Sequence, residues 1–390
     1  MRTHTVKLGE VAVVKGGKRL PKGVGLITTP NSHPYIRVRD LNGKCPLELN
    51  NTFEFVDDNT QATISKYTVN SGDIVLSIVG TIGLVSIVGS SLNRANLTEN
   101  CVKLTALPNI DRDFLYYFLK SPYGQQKIAQ GTVGAVQAKL PIKNIQNIEI
   151  NLPDIKIQKK IASILSSLDN KIFVNDNIND NLQQQAAALF ANFCDRAETE
   201  VGFTEIIQIL GGGTPKTGES SYWNGDVPFF TPKDVGSPYT LATEKTITEE
   251  GLAHCNSRLY PINTVFVTAR GTVGKVGLPG VPMAMNQSCY ALVGKDTHQL
   301  LVYFYTLKAV DRLKHKASGA VFDAITTRDF ESEIIMKLSD DDEKAFLDVA
   351  QPIYQAVLSN SIENLGLAAL RDSLLPKLMS GEIDVSAVQL

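Results

Sequence analysis

Cysteine and histidine are both scarce, with five of each in 390 residues. The cysteines (Cys45, Cys101, Cys194, Cys255, Cys289) are scattered, odd in number and free of any CxxC pair. Neither a disulfide framework nor a zinc knuckle is indicated, and the thiols are expected to behave as small, partly buried hydrophobes. The histidines are isolated, so no metal-ligand spacing exists. No window approaches the roughly 18 uninterrupted apolar residues that a membrane span needs. No apolar leader follows Met1-Arg2-Thr3-His4, so the expected location is cytoplasmic, without a membrane partner. What remains, 43% hydrophobic and 20% charged residues, suffices for the cores of two or three domains.

Catalytic motifs are also missing. Gly211-Gly212-Gly213-Thr214-Pro215-Lys216-Thr217 imitates a phosphate loop, but Pro215 stands where a glycine must precede the lysine. Pro153-Asp154 with Asp169-Asn170-Lys171 imitates a nuclease spacing, yet its second element falls inside an amphipathic helical stretch, where the side chains cannot flank a metal. Asn31-Ser32-His33-Pro34-Tyr35 does not meet the Asn/Asp-Pro-Pro-aromatic pattern of an amino-methyltransferase. The chain is expected to do no covalent chemistry and to carry no metal.

What is present is a repeat. Asp73-Ile74-Val75-Leu76-Ser77-Ile78-Val79 runs into Gly80-Thr81-Ile82-Gly83, and Thr264-Val265-Phe266-Val267-Thr268-Ala269-Arg270 runs into Gly271-Thr272-Val273-Gly274. Tyr35-Ile36-Arg37-Val38-Arg39-Asp40-Leu41 answers to Phe229-Phe230-Thr231-Pro232-Lys233-Asp234-Val235, and Gly134-Ala135-Val136 to Gly319-Ala320-Val321. Each apolar run with its Gly-Thr phrase reads as strand, tight turn, strand. Helices are expected over Asp111 to Lys127 and Gln299 to His315. One duplicated unit, a mixed α and β domain followed by a long helix, accounts for nearly the whole chain.

The long stretches, about Ile155 to Phe193 and Asp341 to Met379, carry apolar residues at three- and four-residue steps. Ile157, Ile161, Leu168 and Ile172 form the seam of the first; Ile353, Val357, Leu367 and Leu374 that of the second. So long a stripe needs a partner, and the economical one is the other copy, packed antiparallel about a pseudo-twofold axis as a spacer rod. Both seams turn polar at their midpoints, at Asn175, Asn177, Asn179 and Asn181 and at Asn360 and Asn364. Either some of these amides pair across the seam and fix its register, or they face solvent on loosely packed turns.

The net charge of −2 is unevenly spread: residues 1–154 carry +5, 155–196 +1, 197–339 −2 and 340–390 −6. Up to Lys44 the chain holds nine basic residues against Glu10 and Asp40 alone. That concentration suits phosphate contact, or is simply a solvated basic face. The acidic C-terminal end suits solvent or a protein partner.

The run Ser221-Tyr222-Trp223-Asn224-Gly225-Asp226-Val227-Pro228-Phe229-Phe230-Thr231-Pro232-Lys233-Asp234-Val235 resembles the specificity (S) subunits of type I restriction-modification enzymes. So do the Arg270 to Gly274 turn, the Ile155 to Leu165 helix start and the ending Leu370-Arg371-Asp372-Ser373-Leu374-Leu375-Pro376-Lys377-Leu378-Met379-Ser380-Gly381-Glu382-Ile383. The resemblance implies an α+β architecture with target recognition domains at 1–154 and 197–339. Spacer helices would occupy 155–196 and, with a C-terminal tail, 340–390. Each domain would read one half of a split, asymmetric DNA target, and the helices would set the unread gap. Two methylation subunits would bring S-adenosylmethionine, and two restriction subunits ATP and Mg2+; this chain would hold no cofactor. The first copy departs by lacking the Tyr-Trp signature and by having Val79 where the second has Arg270.

Base edges and phosphates are met by Arg, Lys, Asn, Gln, Ser and Thr on rigid loops. The candidates in the first domain are Lys15, Lys18, Arg19, Arg37, Arg39, Lys44, Thr81, Gln137 and Lys139. Those in the second are Lys216, Thr217, Lys233, Arg270, Thr272, Lys275, Asn286 and Gln287. For each, a structural or merely solvated role is the alternative; Trp223 is read as packing. Arg270 is the sharpest, since a Gly-Thr turn after a strand can present a guanidinium to guanine. Two rivals stay open: a DNA-bridging scaffold that binds DNA alone, and a nuclease or methyltransferase with a degenerate site.

Overall fold

A computed structural model of the chain describes residues 3–41, 45–134, 136–236, 238–316 and 324–388. By compactness the chain divides into two units, Met1–Ile172 with Gly366–Leu390, and Phe173–Leu365. Each long helix is therefore shared between the two.

In the first unit, apolar β-branched runs form a four-stranded antiparallel sheet in the order Ala12–Gly16, Cys101–Ala106, Ile74–Ser77, Val85–Ile87. Pro34–Ile36 lies between Glu54–Phe55 and Asn96–Leu97 in a second, small sheet. Thr3–Lys7 pairs with Glu149–Pro153 and closes the domain where its chain begins and ends. Helix Arg112–Lys120 covers the larger sheet with Phe114, Leu115, Phe118 and Leu119, all buried. The single helix expected over Asp111 to Lys127 is instead two, Arg112–Lys120 and Pro122–Gly131. Pro122 cannot donate into the preceding turn, and the Ser121 hydroxyl caps the new helix by accepting from Gly124 N at 3.1 Å.

The second unit repeats this build with one strand more, Tyr239–Thr240, added in parallel at the edge of its larger sheet. Its larger sheet runs Ile207–Gly211, Cys289–Gly294, Val265–Thr268, Val276–Pro279, Tyr239–Thr240. Trp223–Phe230 lies between Lys245–Ile247 and Ala284–Met285, and Thr199–Gly202 pairs with Ile334–Lys337. Helix Gln299–Lys316 takes the covering role, burying Leu300, Leu301, Phe304 and Val310.

The long helices run Ile155–Arg196 and Asp340–Ser380, 42 and 41 residues. The second passes through Pro352 and Gly366 without a break. Within each unit the pair is antiparallel. In the first, Asp169 pairs with Arg371 at 2.6 Å, while Lys160 reaches the Ser386 carbonyl at 2.7 Å. In the second, Asn175 donates to Asn364 at 2.9 Å and Asn360 to Asn179 at 2.9 Å.

The seam differs from the expected one in its partners. Toward the domains the stripes pack into the domain cores as well as on each other. Ile161, Leu165, Leu375 and Leu378 join the first core; Phe190, Phe346, Tyr354 and Val357 join the second. Ile157 and Leu374 pack at the edge of the first core and Ile353 at the edge of the second, each partly buried. Leu168, Ile172 and Leu367 are also partly buried, whereas Val349 and Leu370, in step with the stripe, are exposed. Periodicity marks an apolar face but not what covers it. At the midpoint, Asn175 and Asn179 are 1% and 5% exposed. Asn175 also donates to Glu363 at 2.7 Å, and Asn364 donates to Asp176 at 2.8 Å. The amides thus pair across the seam; Asn177 and Asn181 face solvent.

Candidate nucleic-acid interface

In the first domain one end of the larger sheet gathers most of the candidate residues. Strand Ala12–Gly16 leaves the sheet there, and its continuation is stitched down by Gly17 N to the Cys101 carbonyl at 3.0 Å and Lys18 N to the Leu97 carbonyl at 2.8 Å. A Cβ on Gly17 would sit 2.1 Å from the Thr98 carbonyl oxygen, so only glycine allows this approach. Ile78 N donates to the Asn100 carbonyl at 2.8 Å, bringing the Gly80 turn to the same end. Val133 and Lys139 exchange backbone bonds of 2.8 and 2.9 Å, and Leu140 N donates to the Ile78 carbonyl at 2.9 Å. That loop carries Gln137 beside the turn, with Val136 fully exposed on it.

The second domain reproduces the arrangement with other side chains. Gly213 N donates to the Met285 carbonyl at 3.1 Å, and a Cβ on Gly212 would lie 2.1 Å from the Asn286 carbonyl oxygen. Ala269 N donates to the Ser288 carbonyl at 2.8 Å, and Ile325 N to the Ala269 carbonyl at 2.9 Å. The Gly319-Ala320-Val321 repeat lies outside the described residues.

Both Gly-Thr turns close identically. Gly80 and Gly83 have φ of +80° and +94°, and Gly271 and Gly274 of +82° and +73°, values that favour glycine. The Ser77 hydroxyl donates to the Thr81 carbonyl at 2.6 Å and accepts from Leu84 N at 2.9 Å. The Thr268 hydroxyl donates to the Thr272 carbonyl and accepts from Lys275 N at 2.9 Å. Thr81, Arg270, Thr272 and Lys275 are exposed on these turns.

The electrostatics of the two ends differ. Arg37 is largely covered, pairs with Glu54 and lies 3.5 Å from Asp40, and burial lowers its pKa. Arg39 meets the same Glu54 at 3.1 Å and Arg19 meets Glu99 at 2.7 Å. Burial pushes the Glu99 carboxyl up, but hydrogen bonds from Arg19 and Thr98 outweigh it and hold Glu99 below the usual carboxylate range. Lys18 lies over the Tyr67 ring at 5.4 Å, and Lys15 is exposed on its strand. Lys44 lies outside the described residues. In the second domain Lys233 is exposed and loosely placed 3.8 Å from Glu244. Lys216 and Thr217 are exposed, the Lys216 carbonyl accepting from Trp223 at 3.2 Å. Trp223 packs edge-on against Phe229 at 5.6 Å. Asn286 caps its own turn, accepting from Ser288 N at 3.0 Å, and Gln287 bonds Thr214. Among the described residues Arg270 has no ion-pair partner.

Arg37, a candidate contact by sequence, is engaged in an ion pair with Glu54, which arrives on the strand Glu54–Phe55, further along the chain. Ser77 and Thr268, whose hydroxyls close the two turns, are not among the sequence candidates. The signal was there: both copies carry a hydroxyl three residues before the first turn glycine. Among the described residues no cluster of His, Cys, Asp and Glu could hold a metal ion, and no helix is long and apolar enough to cross a membrane.

Residues 3–184 and 199–343 match the family model described as type I restriction modification DNA specificity domain. The MjaIX specificity subunit of a type I restriction enzyme from Methanocaldococcus jannaschii is 32% identical over 124 residues, 30% of this chain and 29% of that protein. The corresponding HindI subunit of Haemophilus influenzae is 23% identical over 326 residues, 63% of this chain and 71% of that protein. The chain thus spans under a third of the first relative and about seven-tenths of the second. The crystal structure of the type I restriction-modification S subunit from M. genitalium shares the fold, with a TM-score of 0.59 at 16% identity over 97% of this chain and 96% of that one.

Proposed function

The chain belongs to the type I restriction modification DNA specificity family, and from that premise we propose that it supplies the DNA address of a type I restriction-modification complex. Each domain reads one half of a split, asymmetric target, and the helix pair sets the unread gap. The observation that carries this reading is one scaffold built twice with different exposed side chains around the shared turn: Lys18 and Gln137 at one sheet end, Lys216, Arg270 and Lys275 at the other. Equivalent frames with unlike contact groups suit two unlike half-sites.

The chain itself is non-catalytic in this reading. Its partners are double-stranded DNA, two methylation subunits and two restriction subunits. S-adenosylmethionine, ATP and Mg2+ belong to those partners, which do the chemistry. The test is co-expression with candidate methylation subunits and long-read detection of methyladenine in host DNA. Methylation at one split asymmetric motif is expected. Stable DNA binding with no methylation in any pairing would favour a bridging protein.

A further inference from the structure

The two Gly-Thr turns hold their exposed groups through one buried hydroxyl each, and we propose that Ser77 and Thr268 are positioning residues for DNA reading, each serving its own half-site. The inference rests on the function proposed above. Both side chains are 0% exposed, so neither touches DNA. Each occupies the last position of its strand, paired with Cys101 and Cys289 respectively. Each turn is closed by two backbone bonds, Ser77 N to the Leu84 carbonyl at 3.0 Å with Gly83 N to the Ser77 carbonyl at 3.1 Å, and Thr268 N to the Lys275 carbonyl at 2.9 Å with Gly274 N to the Thr268 carbonyl at 2.8 Å.

Those bonds fix the base of the turn but leave the carbonyl at its second residue unheld. The hydroxyl takes that carbonyl, Thr81 in one copy and Thr272 in the other, and also accepts the N–H that reopens the next strand. It thereby ties the exposed Gly-Thr dipeptide to the sheet. Thr81, Arg270 and Thr272 are then presented in one orientation, which a base-edge contact requires. The copies use different residues, Ser and Thr, for this task, so the shared element is the hydroxyl.

The experiment uses the full chain co-expressed with methylation subunits and reads the methylated motif half by half, alongside thermal melting. Thr268→Val keeps the shape and removes the hydroxyl. It is expected to relax base preference about tenfold in the half read by the second domain and leave the other half unchanged. Ser77→Ala is expected to do the reverse. Thr268→Ser, which restores the oxygen, is expected to retain the wild-type motif. Should Thr268→Val not accumulate, Ser77→Ala carries the same test in the other copy. Unchanged discrimination in both halves for Ser77→Ala and Thr268→Val, while Arg270→Ala relaxes one half, overturns the positioning role. Equal loss in both halves from either variant, in step with a lower melting temperature, also overturns it. If Arg270→Ala changes neither half, the assignment of these turns to DNA reading fails, and this inference with it.

Discussion

The two sheet ends share a backbone and differ in what their charges are doing. The first domain is the more basic by count, yet three of its arginines, Arg19, Arg37 and Arg39, are engaged with Glu99, Glu54 and Asp40. The second domain has a slight acidic excess, yet Arg270 stands exposed on its turn with no ion-pair partner among the described residues. Net charge along a sequence therefore locates basic residues without saying which are available to phosphates or bases. Availability is set by carboxylates that arrive from other strands.

Three substitutions would sharpen or break that comparison. The largest effect is expected away from both surfaces. Phe190, on the first long helix, joins the helix pair to the core of the second unit, packing on Phe304, Tyr305 and Phe346 at 4.9, 5.3 and 5.3 Å. Phe190→Ala should cost about 3–5 kcal/mol in chemical denaturation. Arg37→Ala comes next. It leaves Asp40, 6% exposed, and Glu54 with only the more exposed Arg39 as a cation, and should cost about 1–3 kcal/mol of stability. Arg270→Ala, by contrast, should leave the melting curve within about 0.5 kcal/mol of wild type. Its loss should appear as about 1–3 kcal/mol of discrimination at one base position. If Arg37→Ala instead behaves like Arg270→Ala, the division between engaged and available arginines is wrong.

The midpoint of the helix pair offers a subtler contrast. Asn179→Ala removes one partner of a buried amide pair and should cost about 1–3 kcal/mol, whereas Asn179→Leu with Asn360→Leu removes both and should cost less. Thermal melting of the single and double variants decides it. Smallest of all is a rate effect shared by the two copies. Burial pushes the Cys101 and Cys289 thiols each up to about 12. Since thiolate is the reactive form, both should resist alkylation at pH 8 in the folded chain and react readily once it is unfolded.

The legible part of this molecule was its repetition. Apolar β-branched runs around Gly80 and Gly271 announced strand, turn, strand, and the stripes from Ile157 and Phe346 announced the long helices, because periodicity is a local property. The paired Asn of the midpoint could be suspected on the same ground. Less legible was whatever depends on a distant partner. The stripe does not say that Phe190 is buried in its domain while Val349 is half exposed, and Arg37 does not reveal Glu54. Ser77 and Thr268 were hidden differently: each looks like an ordinary strand residue until the two copies are aligned on their glycines.

The central claim is that the two sheet ends are interchangeable frames for separate half-sites. The equivalent strand pairs, Thr3–Lys7 with Glu149–Pro153 and Thr199–Gly202 with Ile334–Lys337, mark matching points at which to exchange them. A chain carrying residues 199–337 in place of 3–153 as well as in their own position, co-expressed with methylation subunits, tests it most directly. The account predicts methyladenine at a motif whose two halves are both the half formerly read by the second domain. A motif that keeps the half assigned to the replaced first domain would contradict it.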